Sequence, residues 1–143
     1  MIYLMRHGHA VDNIVDSERV LSEKGIAEVQ QTAQKVAKKQ LQVQKIFHSP
    51  YKRATQSAMI LSHQLGLSAP QIKAGLLPND NPSSLADELL VTDENLLFVG
   101  HMPFMGDLLT KLTGKIISFQ TSEMVAIEKN GDSFNLLWRS SEL

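Results

Sequence analysis

The 143-residue sequence contains no cysteine. That excludes a disulfide framework and thiolate chemistry, and a zinc site would have to rely on histidine and carboxylates. Neither sign of charge is in excess: 14 Lys and Arg stand against 15 Asp and Glu, a formal net charge of -1. The basic footprint expected of nucleic-acid or membrane-surface binding is therefore missing. No hydrophobic run is long enough to span a bilayer. The N-terminal one, Ile2 to Met5, is broken by Arg6 where a signal peptide needs its apolar region. Internal repeats, low-complexity tracts and long linkers are absent as well. These exclusions leave the expectation of one soluble, cytoplasmic domain over 1–143, long enough to bury a core.

What is present is an alternation of strand-like and helix-like segments. Ile2 to Met5 reads as a buried strand that ends on Arg6-His7-Gly8-His9. Ser22 is placed to cap a helix whose Ile26, Val29, Ala33, Val36 and Ala37 recur at helical spacing. Gln44 to His48 predicts a second strand. Ser49-Pro50 then opens a helix that buries Ala54, Ala58, Leu61 and Leu65 and stops at Gly66. Gln71 to Leu77 suggests a third, weaker strand, followed by the loop PNDNP and a short helix from Pro82 to Leu90. Asn95 to Gly100 has the continuous apolar character of a strand covered on both faces, and an apolar helix after Pro103 closes at Gly114. Two last runs, SEMVAIEK and SFNLLWR, flank Asn130-Gly131-Asp132 and predict a hairpin. The pattern predicts an α/β fold: three layers, α/β/α, with a mostly parallel central sheet and a C-terminal antiparallel hairpin.

The polar chemistry falls at strand ends. Arg6 and His7 follow the first strand, His48, Ser49 and Arg53 the second, and Gly100-His101 the buried one. Ligands of open α/β sheets bind beyond the carboxyl ends of the strands, so these segments are expected to meet at one edge. Two arginines and two histidines there, with helices starting near Pro50 and Pro103, suit a tetrahedral anion.

RHG at 6–8, SPYKRATQ at 49–56 and GH at 100–101, in that order, resemble the histidine phosphatase superfamily. Within it, the short length and the RHGxA form are most similar to SixA-type phosphohistidine phosphatases. The resemblance implies that His7 is the nucleophile and carries a transient phosphoryl group. It implies that Arg6 and Arg53 hold the phosphoryl oxygens and that His101 completes the pocket, and phosphoryl transfer would be served by a protonated His101. Gly8 would let the backbone pass close to the phosphate, its amide an extra donor. Asn13 lies where some branches place a phosphate-contacting Asn, although its flanking residues differ. Asp80, in the PNDNP loop, is the carboxylate where a proton donor would be expected, but its flanking Asn and Pro residues favour a turn residue instead. Ser49 reads as a helix cap rather than a nucleophile, and His48 and His63 as structural or surface residues.

The implied reaction is removal of phosphate from a phosphohistidine on a partner protein, with a small phosphorylated molecule as the alternative substrate. No cofactor or metal is called for, since guanidiniums, a histidine cation and helix amides can supply the positive charge. Two other readings stay open. His7-Gly8-His9 is an H-x-H of the kind that begins some metal-dependent hydrolases, but those sit on barrels of about 250 residues. A non-catalytic phosphoryl-binding module would be expected to have lost its histidine nucleophile. Oligomeric state is not legible.

Overall fold

The computed structural model describes residues 1–143. Its strands are β1 (Ile2–Arg6), β2 (Lys45–His48), β3 (Gln71–Ile72), β4 (Leu96–Gly100), β5 (Met124–Asn130) and β6 (Ser133–Arg139). The helices are α1 (Glu23–Ala37), α2 (Lys52–Leu65), α3 (Ser83–Val91) and α4 (Phe104–Thr113), with short 3-10 turns at Asp16–Glu18 and Ser140–Glu142. The strands form one sheet in the order β3-β2-β4-β1-β5-β6. β3, β2, β4 and β1 run parallel, while β5 is antiparallel to both β1 and β6.

Strand periodicity sorts the core into two halves. Ile2 and Leu4 of β1, Leu96 and Phe98 of β4, and Val125 and Ile127 of β5 pack with Leu85 and Leu89 of α3 and Phe104 and Leu108 of α4. The alternate residues Tyr3, Met5, Leu97, Val99, Met124 and Ala126 pack with Val29, Ala33 and Val36 of α1 and Ala58 and Leu61 of α2. Every residue of β4 is buried, as its unbroken apolar run requires.

Ser22 caps α1, its hydroxyl accepting the Gly25 N–H at 3.0 Å. The buried stripe of that helix is Gly25, Val29, Thr32, Ala33 and Val36. Ile26 and Ala37, expected inside, are exposed: the helix is rotated so that the small Gly25 faces the strand ends. α2 begins at Lys52, two residues after the expected start, because Ser49 Oγ accepts the Tyr51 N–H and holds the entry turn outside the helix. β3 is shorter than the expected Gln71–Leu77. It is an exposed edge strand that pairs only with Phe47 and His48. In the hairpin Asn130 pairs with Ser133, so the two turn residues are Gly131, at φ 61°, and Asp132.

Candidate active site

The three polar strand ends meet. Arg6 pairs with Gly100 and His48 with Val99 in the parallel ladder, so β1, β4 and β2 finish side by side. Two further bonds carry that register into the loops, His7 N–H to Gly100 O at 2.9 Å and Ser49 N–H to Val99 O at 3.2 Å. His7, Arg53 and His101 are all buried, and the His7 and His101 rings lie 5.1 Å apart between centroids.

The state of His7 follows from its hydrogen bonds. Nδ1 is 2.7 Å from the carbonyl of Gly8, which can only accept, so Nδ1 carries the proton. Nε2 then presents its lone pair and lies 3.3 Å from Arg53 Nε–H. Burial pushes His7 down to about 4, opposed by the Gly8 bond and reinforced by the charges of Arg53 and Arg6. At neutral pH the ring is uncharged and nucleophilic.

Arg53 is fixed at both ends of its fork. Beyond the Nε contact, Nη1 donates to the Asp16 carbonyl at 2.7 Å and Nη2 to Asp16 Oδ2 at 3.2 Å. Its guanidinium also lies 5.2 Å from the centre of the Tyr51 ring, whose own edge-on neighbour is His101 at 5.2 Å. Arg6 donates from Nη1 to the Phe119 carbonyl at 2.8 Å. Buried side-chain nitrogens and oxygens almost always find partners. Here the atoms without one are Arg6 Nε, His101 Nδ1 and Ser122 Oγ. The first two belong to the expected pocket.

His101 departs from expectation. Burial, the neighbouring His7 and Arg53 together push it down to about 3, so it is neutral in this structure rather than the cation expected from the chemistry of phosphoryl transfer. Gly8 departs too. Its N–H donates to Ser57 Oγ at 3.0 Å and is already committed, and a Cβ there would sit 2.8 Å from the Gly25 carbonyl and 2.9 Å from Val29 Cγ2. The glycine answers to close packing of β1's end against α1.

Other expected residues form no hydrogen bond to Arg6, His7, Arg53 or His101. Asn13 is exposed and its Oδ1 accepts the Val15 N–H, a local turn contact. Asp80 Oδ2 accepts the Leu77 N–H at 2.9 Å, as a turn residue would. His9 is exposed, with Nδ1 2.7 Å from Ser22 Oγ on the α1 side. His48 Nδ1 donates to the Ser49 carbonyl, and His63 is exposed at the end of α2. Three participants escape the sequence pattern. Asp16 sits in an irregular polar stretch, Tyr51 reads as a helix-start residue, and Ser57, which bonds both Gly8 N–H and the Arg53 carbonyl, reads as helix interior.

The family model for the histidine phosphatase superfamily (branch 1) matches residues 2–77, more than half of the chain and the part that supplies Arg6, His7 and Arg53. The chain belongs to the histidine phosphatase superfamily. As such it is a phosphatase that works through a histidine nucleophile. It is 33% identical over 114 residues to an uncharacterized protein of Picosynechococcus sp. (strain ATCC 27264 / PCC 7002 / PR-6), covering 74% of this chain and 68% of that one. The superfamily fold is plain in solved structures. The protein histidine phosphatase SixA complexed with tungstate superposes with a TM-score of 0.90 at 24% identity, covering 96% of this chain and 94% of that one. A phosphoserine phosphatase of Entamoeba histolytica in complex with phosphoserine gives 0.74 at 14% identity, covering 98% and 96%. No helix of this superfamily member is long and apolar enough to cross a membrane.

Proposed function

We propose that the protein is a phosphohistidine phosphatase in which His7 Nε2 takes the phosphoryl group from a histidine of a partner protein. The observation that carries this is the pairing of a neutral, buried His7 with two buried N–H donors, on Arg6 and His101, that have no acceptor in the protein. Phosphoryl transfer asks mainly for positioning and for donors aimed at the phosphoryl oxygens.

The reaction runs in two displacements. In the first, the His7 lone pair bonds to phosphorus while the substrate's P–N bond breaks and its electron pair stays on the substrate ring. Arg6, Arg53 and His101 donate to the phosphoryl oxygens, and Nδ1–H of His7 remains on the Gly8 carbonyl. In the second, water attacks phosphorus, the P–Nε2 bond breaks, and the pair returns to His7, releasing dihydrogen phosphate. Imidazole leaves readily in both steps, so no strong acid is needed. Asp80 is tied into a turn and Asp16 is kept ionised by its arginine partners, which favours this leaving group over an alkoxide. A protein substrate is favoured by the loop that carries Asp16, Arg53's partner, and exposes Val11, Ile14 and Val15 to solvent.

Turnover of a phosphohistidine peptide, phosphoramidate and 4-nitrophenyl phosphate, measured side by side, tests the reading. The peptide is expected to be hydrolysed fastest, with acid-labile label trapped on His7. His7→Ala is expected to lose about a thousandfold or more of activity. Efficient hydrolysis of 4-nitrophenyl phosphate without turnover of the peptide or of phosphoramidate would move the protein to the small-molecule phosphomonoesterases.

A further inference from the structure

We infer that Asp16 sets the leaving-group preference of this site, its carboxylate holding the positively charged, ring-protonated form of the substrate's phosphohistidine. The inference rests on the phosphohistidine reading above and assigns a role to a residue outside the three motifs.

The Arg53 guanidinium is a ruler through the site. Its Nε lies at the His7 nucleophile, 3.3 Å from Nε2, and its Nη atoms lie at Asp16, 2.7 Å from the carbonyl and 3.2 Å from Oδ2. In-line transfer puts the leaving atom opposite the attacking one. A phosphoryl group on Nε2 held by this fork therefore has its leaving group outward, towards the end that Asp16 occupies. Exposure runs the same way: the Arg53 side chain is 5% exposed and that of Asp16 57%.

At that position a carboxylate has one sign of effect. Slight burial pushes the Asp16 carboxyl up, but hydrogen bonds and charges from Arg53 and Arg19 outweigh it and hold the group below its usual range. It is an anion at neutral pH and no proton donor. Beside a ring-protonated phosphohistidine it pairs with the ring N–H. When the P–N bond breaks, the pair stays on the ring nitrogen and a neutral imidazole departs without a proton from the enzyme. Beside an aryl or alkyl phosphate the same carboxylate faces a growing oxyanion and opposes it. The site selects by charge.

Asp16→Asn separates this role from simple anchoring of Arg53. The amide oxygen can still accept from Nη2, and the backbone carbonyl still accepts from Nη1. The probes are a phosphohistidine peptide and 4-nitrophenyl phosphate, with the melting temperature compared to the wild type. The expected result is a fall of roughly fivefold in kcat/KM for the peptide, the scale of a partly exposed ion pair. For 4-nitrophenyl phosphate, kcat/KM should rise. If both substrates lose the same factor, Asp16 only positions Arg53 and the inference is overturned; no change in either overturns it too. A wild-type enzyme that ignores the peptide would instead remove the phosphohistidine reading, and this inference with it.

Discussion

Ser49 Oγ lies 2.7 Å from His101 Nε2 and also accepts the Tyr51 N–H at 3.1 Å. Ser49 is fully buried and these are its only side-chain partners, so the one acceptor within reach of the serine hydrogen is His101 Nε2. The neutral ring then carries its own proton on Nδ1, the atom left without a partner. A serine in the turn before α2 thus leaves a neutral histidine with a free N–H donor. Ser49→Ala should lower kcat/KM up to about tenfold for every substrate, the scale of losing one hydrogen bond. Ser49→Thr should restore most of it. Steady-state kinetics on two substrates would check both, and an alanine variant with full activity would refute the tautomer assignment.

Two glycines hold α1 against the loop after β1. A Cβ on Gly25 would fall 1.9 Å from the His9 carbonyl oxygen, and one on Gly8 would fall 2.8 Å from the Gly25 carbonyl. Both obstacles are backbone, which cannot rotate aside. Gly25→Ala is therefore expected to cost more than about 3 kcal/mol, beyond the usual range for overpacking, and Gly8→Ala about 1–3 kcal/mol. Urea denaturation of the two variants would give the order; an inverted order would contradict the geometry.

The two buried histidines make the fold sensitive to acid. Both ionise near 6.5 when unperturbed, but burial holds His7 near 4 and His101 near 3 in the folded protein. Between those limits the unfolded chain binds more protons, so stability falls as pH falls. The contribution is complete above about pH 6.5 and is lost progressively towards pH 4 and below. The urea midpoint should drop between pH 7.5 and pH 5, and His101→Asn should make the drop shallower. A flat profile over that range would count against neutral, buried rings.

Asp80 should matter to stability and little to chemistry. Its carboxylate accepts the Leu77 N–H, and its own N–H returns to the Leu77 carbonyl at 3.1 Å. Asp80→Ala is expected to cost about 1 kcal/mol, the worth of one such bond. Hydrolysis of a phosphohistidine peptide should change by less than twofold. A collapse of activity at unchanged stability would make Asp80 a proton donor after all.

The elements that the sequence discloses are those whose cause is local. The apolar runs of β1 and β4, the Ser22 cap and the left-handed Gly66 and Gly114 each act within a few residues. Arg6, His7, Arg53 and His101 are legible because a sheet edge collects strand ends in a way topology dictates. What escapes is long-range. Arg6 is anchored by the backbone carbonyl of Phe119, 113 residues away, and a carbonyl leaves no mark in a sequence. Asp16 meets Arg53 across 37 residues from a stretch with no periodicity, and Gly8 meets Ser57 across 49. The overlong β3 has the same origin. Its residues suit a strand, but only Phe47 and His48 are there to pair with.

The strand order has a consequence for how the molecule breathes. β2, β4 and β1, whose ends carry the site, are neighbours in the middle of the sheet, with β3 at one border and β6 at the other. Amide protons of the inner strands can exchange with solvent only when the whole ladder parts, whereas the two-residue β3 can open alone. The residues gathered at these strand ends are thus expected to sit on slowly exchanging backbone, β4 and β1 above all, since each is flanked by a strand on both sides. Fraying at the borders leaves it undisturbed, and when it is lost the sheet is lost with it.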